Sequence, residues 1–216
     1  LPNGTELEDP KYVDDYNMSE NQFAICDVDT DGKEELLIAL THYPMAAMRT
    51  MIYDYDSNTN KFREQITEFN WMNFYDNGIL EVMWSHNQGS AGDSLWPYTL
   101  YKYNKELDSY EVIAQVDAWD KSFNEKSYIA ETFPTEVDKD DNGIVYYVRN
   151  SDSDKDIPYD LKEYKEWRTQ YILNDNLHAI SFKLNEFKDD IVYIIGNIHL
   201  DNYYHDIVSM IIEDLV

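Results

Sequence analysis

The sequence predicts a mainly β chain with helices at its C-terminal end, an α+β class built on repeated antiparallel β-hairpins. Three observations predict it. Short apolar or alternating runs of strand length fill the first two thirds, among them Phe23-Ala24-Ile25-Cys26 and Leu36-Leu37-Ile38-Ala39-Leu40. A hairpin pattern recurs: Met51–Phe62 lays on Thr99–Tyr110 without a gap, so that Tyr53 meets Tyr101, Tyr55 meets Tyr103 and Phe62 meets Tyr110, each 48 residues on. After Pro158 the period changes, and Tyr159, Leu161, Tyr164, Trp167 and Tyr171-Ile172 recur at helical spacing. A period near 50 over 216 residues leaves room for three or four units, so a partial or irregular propeller-like sheet assembly is expected.

Taken in order, residues 1–20 are polar and acidic with Pro2, Gly4 and Pro10, and read as a lead-in in which Tyr12, Val13 and Tyr16 form a short helical turn. A β-rich domain is expected over 21–150. It opens with a hairpin ending near Leu40, followed by a cross-over at Thr41–Met48, where His42 stands alone and reads as structural. Asn77-Gly78 between extended runs is a two-residue turn signal, and Asn142-Gly143 repeats it before Val145-Tyr146-Tyr147-Val148. Ser85–Ser94 is a polar loop holding two of the seven glycines. It contains Ser, His and Asp, but Gly89-Ser90-Ala91-Gly92 lacks the nucleophile-elbow spacing, and immediate neighbours rarely converge as a triad. It therefore reads as a surface or ligand-contacting loop. Residues 120–142 read as a polar connection, and Ser151–Asp156 as a charged loop. A helical segment over 151–216 is expected to pack on the same domain, running on through Leu177, Ile180 and Leu184, with a terminal helix after His205. His199 and His205 lack a third partner for zinc.

Composition bounds the function. The chain carries 43 acidic against 17 basic residues, a formal charge of -26. A nucleic-acid backbone requires neutralising Lys and Arg, and an anionic membrane surface attracts basic segments, so neither is an expected partner. The single cysteine, Cys26, lies in an apolar run and forms no intramolecular disulfide. No stretch of 18 apolar residues predicts a transmembrane helix. The start at Leu1-Pro2-Asn3-Gly4 is expected to be a mature end whose leader has been removed.

The richest chemistry lies at Asp27-Val28-Asp29-Thr30-Asp31-Gly32-Lys33-Glu34-Glu35. Calcium takes six to eight oxygens from carboxylates, carbonyls and water. Alternate positions of a tight loop point inward together, so Asp27, Asp29 and Asp31 can share an ion. Gly32 permits the sharp turn. The carbonyl of Lys33 and the carboxylate of Glu35 complete the expected shell. An EF-hand needs a glutamate at the twelfth loop position, counting the first ligand as one, where this chain has Ile38. The apolar flanks are strand-like, so a β-loop-β calcium site is expected. Asp138-Lys139-Asp140-Asp141-Asn142-Gly143 begins similarly, but its ninth position is Tyr146, and it reads as a turn.

The string Asp27–Leu36 resembles the calcium loop of FG-GAP repeats of integrin-type propellers. It is still more similar to the single loop near the start of secreted FG-GAP-like lipoproteins of gut Firmicutes, over about twenty residues of this chain. Glu163-Tyr164-Lys165-Glu166-Trp167 resembles an aromatic helix of the same family. Phe-Gly-Gly-Ala-Pro itself is absent. The resemblance implies a bacterial secreted or cell-surface location, Ca2+ as the bound ion, and a lipid anchor outside this stretch. Two functions follow as expectations. One is a non-enzymatic, calcium-stabilised extracellular binding module for a protein or glycan. The alternative is a secreted glycosidase-like hydrolase using a carboxylate pair. A concave pocket with two carboxylates away from the calcium loop favours the second; an exposed aromatic face favours the first.

Overall fold

The computed structural model describes residues 21–41, 48–59, 61–85, 89–124, 132–153 and 155–172, and the backbone of 185–186. The fold is mainly β, with two antiparallel sheets, one in each of two compact units, and a short helix late in the chain. Among the described residues no closed barrel forms. The expected helical turn at 12–16, the cross-over residue His42, the helical extension through 177–184 and the C-terminal helix lie outside the described residues.

In the first unit, β1 (Gln22–Cys26), β2 (Glu35–Leu40), β3 (Arg49–Asp56) and β4 (Lys61–Glu68) form a meander, and β11 (Asn185–Glu186) pairs with β1. The rung Phe23–Ile38–Met51 and the rung Ile25–Leu36–Tyr53 lie on one face and join one apolar cluster. The intervening rung, Ala24–Leu37–Ile52, is buried on the other face. Burial on both faces explains why β2 reads as a continuous apolar run rather than an alternation.

In the second unit, β5 (Met72–Phe74), β6 (Ile79–Met83), β7 (Tyr98–Asn104) and β8 (Ser109–Asp120) form another meander, extended by β9 (Ile144–Asn150) and β10 (Ile157–Tyr159). A short helix α1 (Lys121–Asn124) follows β8, and α2 (Leu161–Arg168) follows β10. The 48-residue echo is structural. Tyr55 pairs with Phe62 across β3–β4 with ring centroids 4.9 Å apart, and Tyr103 pairs with Tyr110 across β7–β8 at 5.6 Å. Each hairpin also carries one register shift. Gln65 is the extra residue opposite Ile52/Tyr53, and Ile113 is the extra residue opposite Leu100/Tyr101. The two extra residues stand 48 positions apart, so the bulge recurs with the repeat.

Two local expectations need correction. Gly78 does not centre a two-residue turn: its N–H donates to the carbonyl of Tyr75, and the Tyr75 N–H to Ile79. The connection is one residue longer, and Gly78 takes the left-handed conformation that closes it (φ +73°). Pro158 does not open the helix. It lies in β10 opposite Tyr147, on the outermost strand, where its missing N–H costs no ladder bond. The helix starts after Asp160, whose side chain accepts from the Glu163 N–H at 2.8 Å while Glu163 accepts from the Asp160 N–H at 3.2 Å.

The strands at the sheet margins are blunted. β5 and β10 have three residues each, and β4 carries Lys61, Arg63, Glu64 and Glu68. No helix among the described residues is long and apolar enough to cross a membrane.

Helix α2 is fixed to the second sheet by aromatic stacking and a buried ion pair. Tyr164 lies flat on Tyr146, centroids 4.2 Å apart. Glu81 falls on the core face of β6, 3% exposed, where a lone carboxylate would be costly. Arg168 donates to its Oε1 at 2.7 Å, and Tyr75 and Asn73 donate to its Oε2 at 3.0 and 3.1 Å. Arg168 also donates to the Tyr98 hydroxyl, which shares a proton-bridged 2.7 Å contact with Tyr164. Arg168→Leu strands that carboxylate and is expected to lower stability by about 3 kcal/mol in urea denaturation. Arg168→Leu combined with Glu81→Leu is expected to recover most of the loss.

Candidate functional site

The β1–β2 connection places acidic oxygens together. One carboxylate oxygen each from Asp27, Asp29 and Glu35 lies within 4.8 Å of the others. Glu35 opens β2 opposite Cys26 and is 1% exposed; Asp29 is 2% exposed. The loop's own N–H groups orient the first two. Gly32 donates to Asp27 Oδ2 at 3.1 Å, and Asp31 donates to Asp29 Oδ1 at 2.9 Å. Asp31 stands outside the group of three carboxylates. The Lys33 ammonium is 3.8 Å from Asp54, which Arg63 also approaches at 3.7 Å.

The backbone is bent to hold this arrangement. Gly32 has φ +93°, and Thr30, a β-branched residue, is held at φ +65°, where such side chains are strained. Three carboxylates this close repel one another, and two of them are buried. Asp27 Oδ1 is buried and accepts no hydrogen bond. A hard divalent cation would neutralise the cluster and ligate the orphaned oxygen. The all-oxygen donor set fits calcium better than zinc. Asp27, Asp29 and Glu35 are the side chains that would hold it. Burial first, then the carboxylates of Glu35, Glu34 and Asp27, push the neighbouring Cys26 thiol up to about 11, so this cysteine stays protonated near neutral pH.

A second concave site lies within the second unit. Along β8, Ala114, Val116 and Ala118 enter the core, and Gln115, Asp117 and Trp119 alternate to the opposite face. Register brings Arg149 beside Gln115 and Tyr147 beside Asp117 on β9. With Trp84, Ser90 and Asp156 they line a cavity of about 280 Å3. Asp156 receives two hydrogen bonds from the Arg149 guanidinium, at 2.9 and 3.2 Å. Asp117 Oδ1 accepts from the Ala118 N–H at 2.7 Å, and the Ser90 N–H also donates to this carboxylate. Burial nevertheless pushes the Asp117 carboxyl above its usual range, with Asp156 adding a smaller push in the same direction.

Apart from Ser90, which falls in the loop read as a surface or ligand-contacting one, the sequence reading did not identify these cavity residues. The available signal was the polar and aromatic phase of β8, offset by one residue from its small apolar phase. Of the Ser85–Ser94 loop, Gly89 and Ser90 stand against Asp117, while Ser94 donates to Asp120 at 2.6 Å. His86 lies outside the described residues. In the Asp138–Gly143 turn, the Asp138 carboxylate accepts from the Asn142 and Gly143 N–H groups at 3.1 and 3.0 Å.

Comparison with family models, curated proteins and solved structures finds no match.

Two substitutions report on the loop through urea denaturation without added calcium. Gly32→Ala is expected to cost about 1–2 kcal/mol, although the added methyl meets open space, because the penalty is purely conformational. Thr30→Asn is expected to stabilise by about 1 kcal/mol, since asparagine tolerates positive φ.

Proposed function

We propose that this chain is a non-enzymatic, calcium-stabilised extracellular binding module of the FG-GAP-like kind, acting at a bacterial surface or after secretion. The observation that carries the reading is the trio of Asp27, Asp29 and Glu35, the last two buried, with the buried Asp27 Oδ1 lacking any hydrogen bond. In this reading the ion ties the start of β2 to the end of β1 and makes the hairpin rigid. The bulk of the chain then serves as a scaffold for a protein or glycan ligand. The resemblance of Asp27–Leu36 to FG-GAP calcium loops supports the same assignment.

A glycosidase-like hydrolase is the second reading, and one observation favours it. The cavity on β8 and β9 carries two carboxylates, Asp117 and Asp156, away from the calcium loop. One is biased towards its protonated form by burial, as a general acid requires. Against it, both oxygens of Asp156 are engaged by Arg149, which leaves the second carboxylate poorly placed to attack or to activate water.

The test is a thermal melt with calcium and with chelator. A ligand that binds only the folded state at ten times its Kd adds about 1.4 kcal/mol of stability. Calcium is expected to raise the midpoint of the wild type, and Asp29→Ala is expected to lose that response. If both proteins melt alike with and without the ion, the loop does not hold calcium and the reading fails.

A further inference from the structure

We propose that the cavity on the outward face of β8 and β9 binds a neutral saccharide ring and retains it unchanged. The chemistry of the lining selects this ligand class. Trp84, Trp119 and Tyr147 supply flat apolar surface, and Gln115, Asp117 and Arg149 supply hydrogen-bonding groups in the same hollow. A wholly apolar ligand would desolvate those polar groups without offering them a hydrogen bond in return. An anion would meet two carboxylates in a chain of net charge -26, and the one guanidinium in the lining is already held by Asp156. A ring with hydroxyls at its edge and C–H groups on its face satisfies both kinds of surface.

The size agrees. About 280 Å3 stands at the lower end of small-molecule pockets, suited to one ring rather than to a large cofactor. The carboxylate is built in rather than left at the surface. A Cβ on Gly89 would lie 2.2 Å from Asp117 Oδ1 and 2.6 Å from Pro97, so only glycine lets the loop backbone close against it. The Trp84 backbone is itself held in place by a neighbouring tryptophan pair. Trp96 donates its indole N–H to the Trp84 carbonyl at 2.8 Å and packs 5.6 Å from Trp71, which is 42% exposed.

This inference rests on the binding-module reading for the absence of turnover, and not on the ion. The experiment is a glycan array of neutral hexose and N-acetylhexosamine oligosaccharides, followed by calorimetric titration of the best hit with calcium and with chelator. Binding is expected, with Asp117→Asn and Trp119→Ala each weakening it by about tenfold or more. Gln115→Ala, at an exposed position, guards against misfolding and is also expected to weaken binding while leaving the melt unchanged. No binding on the array at millimolar ligand overturns the proposal, as does binding that survives all three substitutions. Release of new reducing ends from the bound oligosaccharide also overturns it, because Asp117 and Asp156 would then act as a hydrolytic pair. A failed calcium response in the melt leaves the saccharide titration to be read on its own terms.

Discussion

The two-residue alternation of β8 from Ala114 onward is the constraint on which the second unit depends. Twelve residues of one strand serve two environments at once. Ala114, Val116 and Ala118 are small enough for helix α2 and the ring of Tyr146 to approach the sheet closely, and they are 0–1% exposed. The same backbone therefore holds Gln115, Asp117 and Trp119 at fixed spacing on the other face. A one-residue slip would send an aspartate into the core and alanines into the cavity, so core and cavity select the same register. The bulge at Ile113 comes before this stretch, which leaves the alternation unbroken from Ala114 onward.

Polar groups that fall on a core face need partners, and the second unit supplies them from far along the chain. Glu81 occupies an inward position on β6 and is answered by Arg168, on a helix 87 residues later. The pair does not maximise stability, because hydrophobic replacements of similar volume often equal or exceed a buried ion pair. What it offers is orientation. A bonded guanidinium on Glu81 and on the Tyr98 hydroxyl fixes how the helix lies on the sheet, where stacked aromatic rings alone would allow sliding.

Much of this was legible in the sequence where the signal was local. The 48-residue echo located both hairpins, because paired tyrosines and their return strands repeat at fixed spacing. Alternating aspartates followed by Gly32 located the acidic loop, because ligand spacing within a single turn is a property of the nearby chain. The boundary at Pro158 was misjudged since a proline suits the first turn of a helix and an outer strand equally well, and only the pairing with Tyr147 decides. The β5–β6 turn was misplaced by one residue because Asn-Gly marks a turn without fixing its length. The cavity was not legible. Its walls come from Trp84, Ser90 and Asp156 and from β8 and β9, segments far apart in the chain, and no contributing residue by itself marks a site.

The outer strands described above carry one more consequence. β4 bristles with charge, β5 is too short to template a long ladder, and β10 lacks a donor at Pro158. A foreign peptide seeking to extend either sheet at these margins would find repulsion, brevity or a missing donor. Recognition by backbone annealing is thereby discouraged, and a visitor is directed to the broad sides of the sheets, where side chains rather than main-chain amides decide what stays.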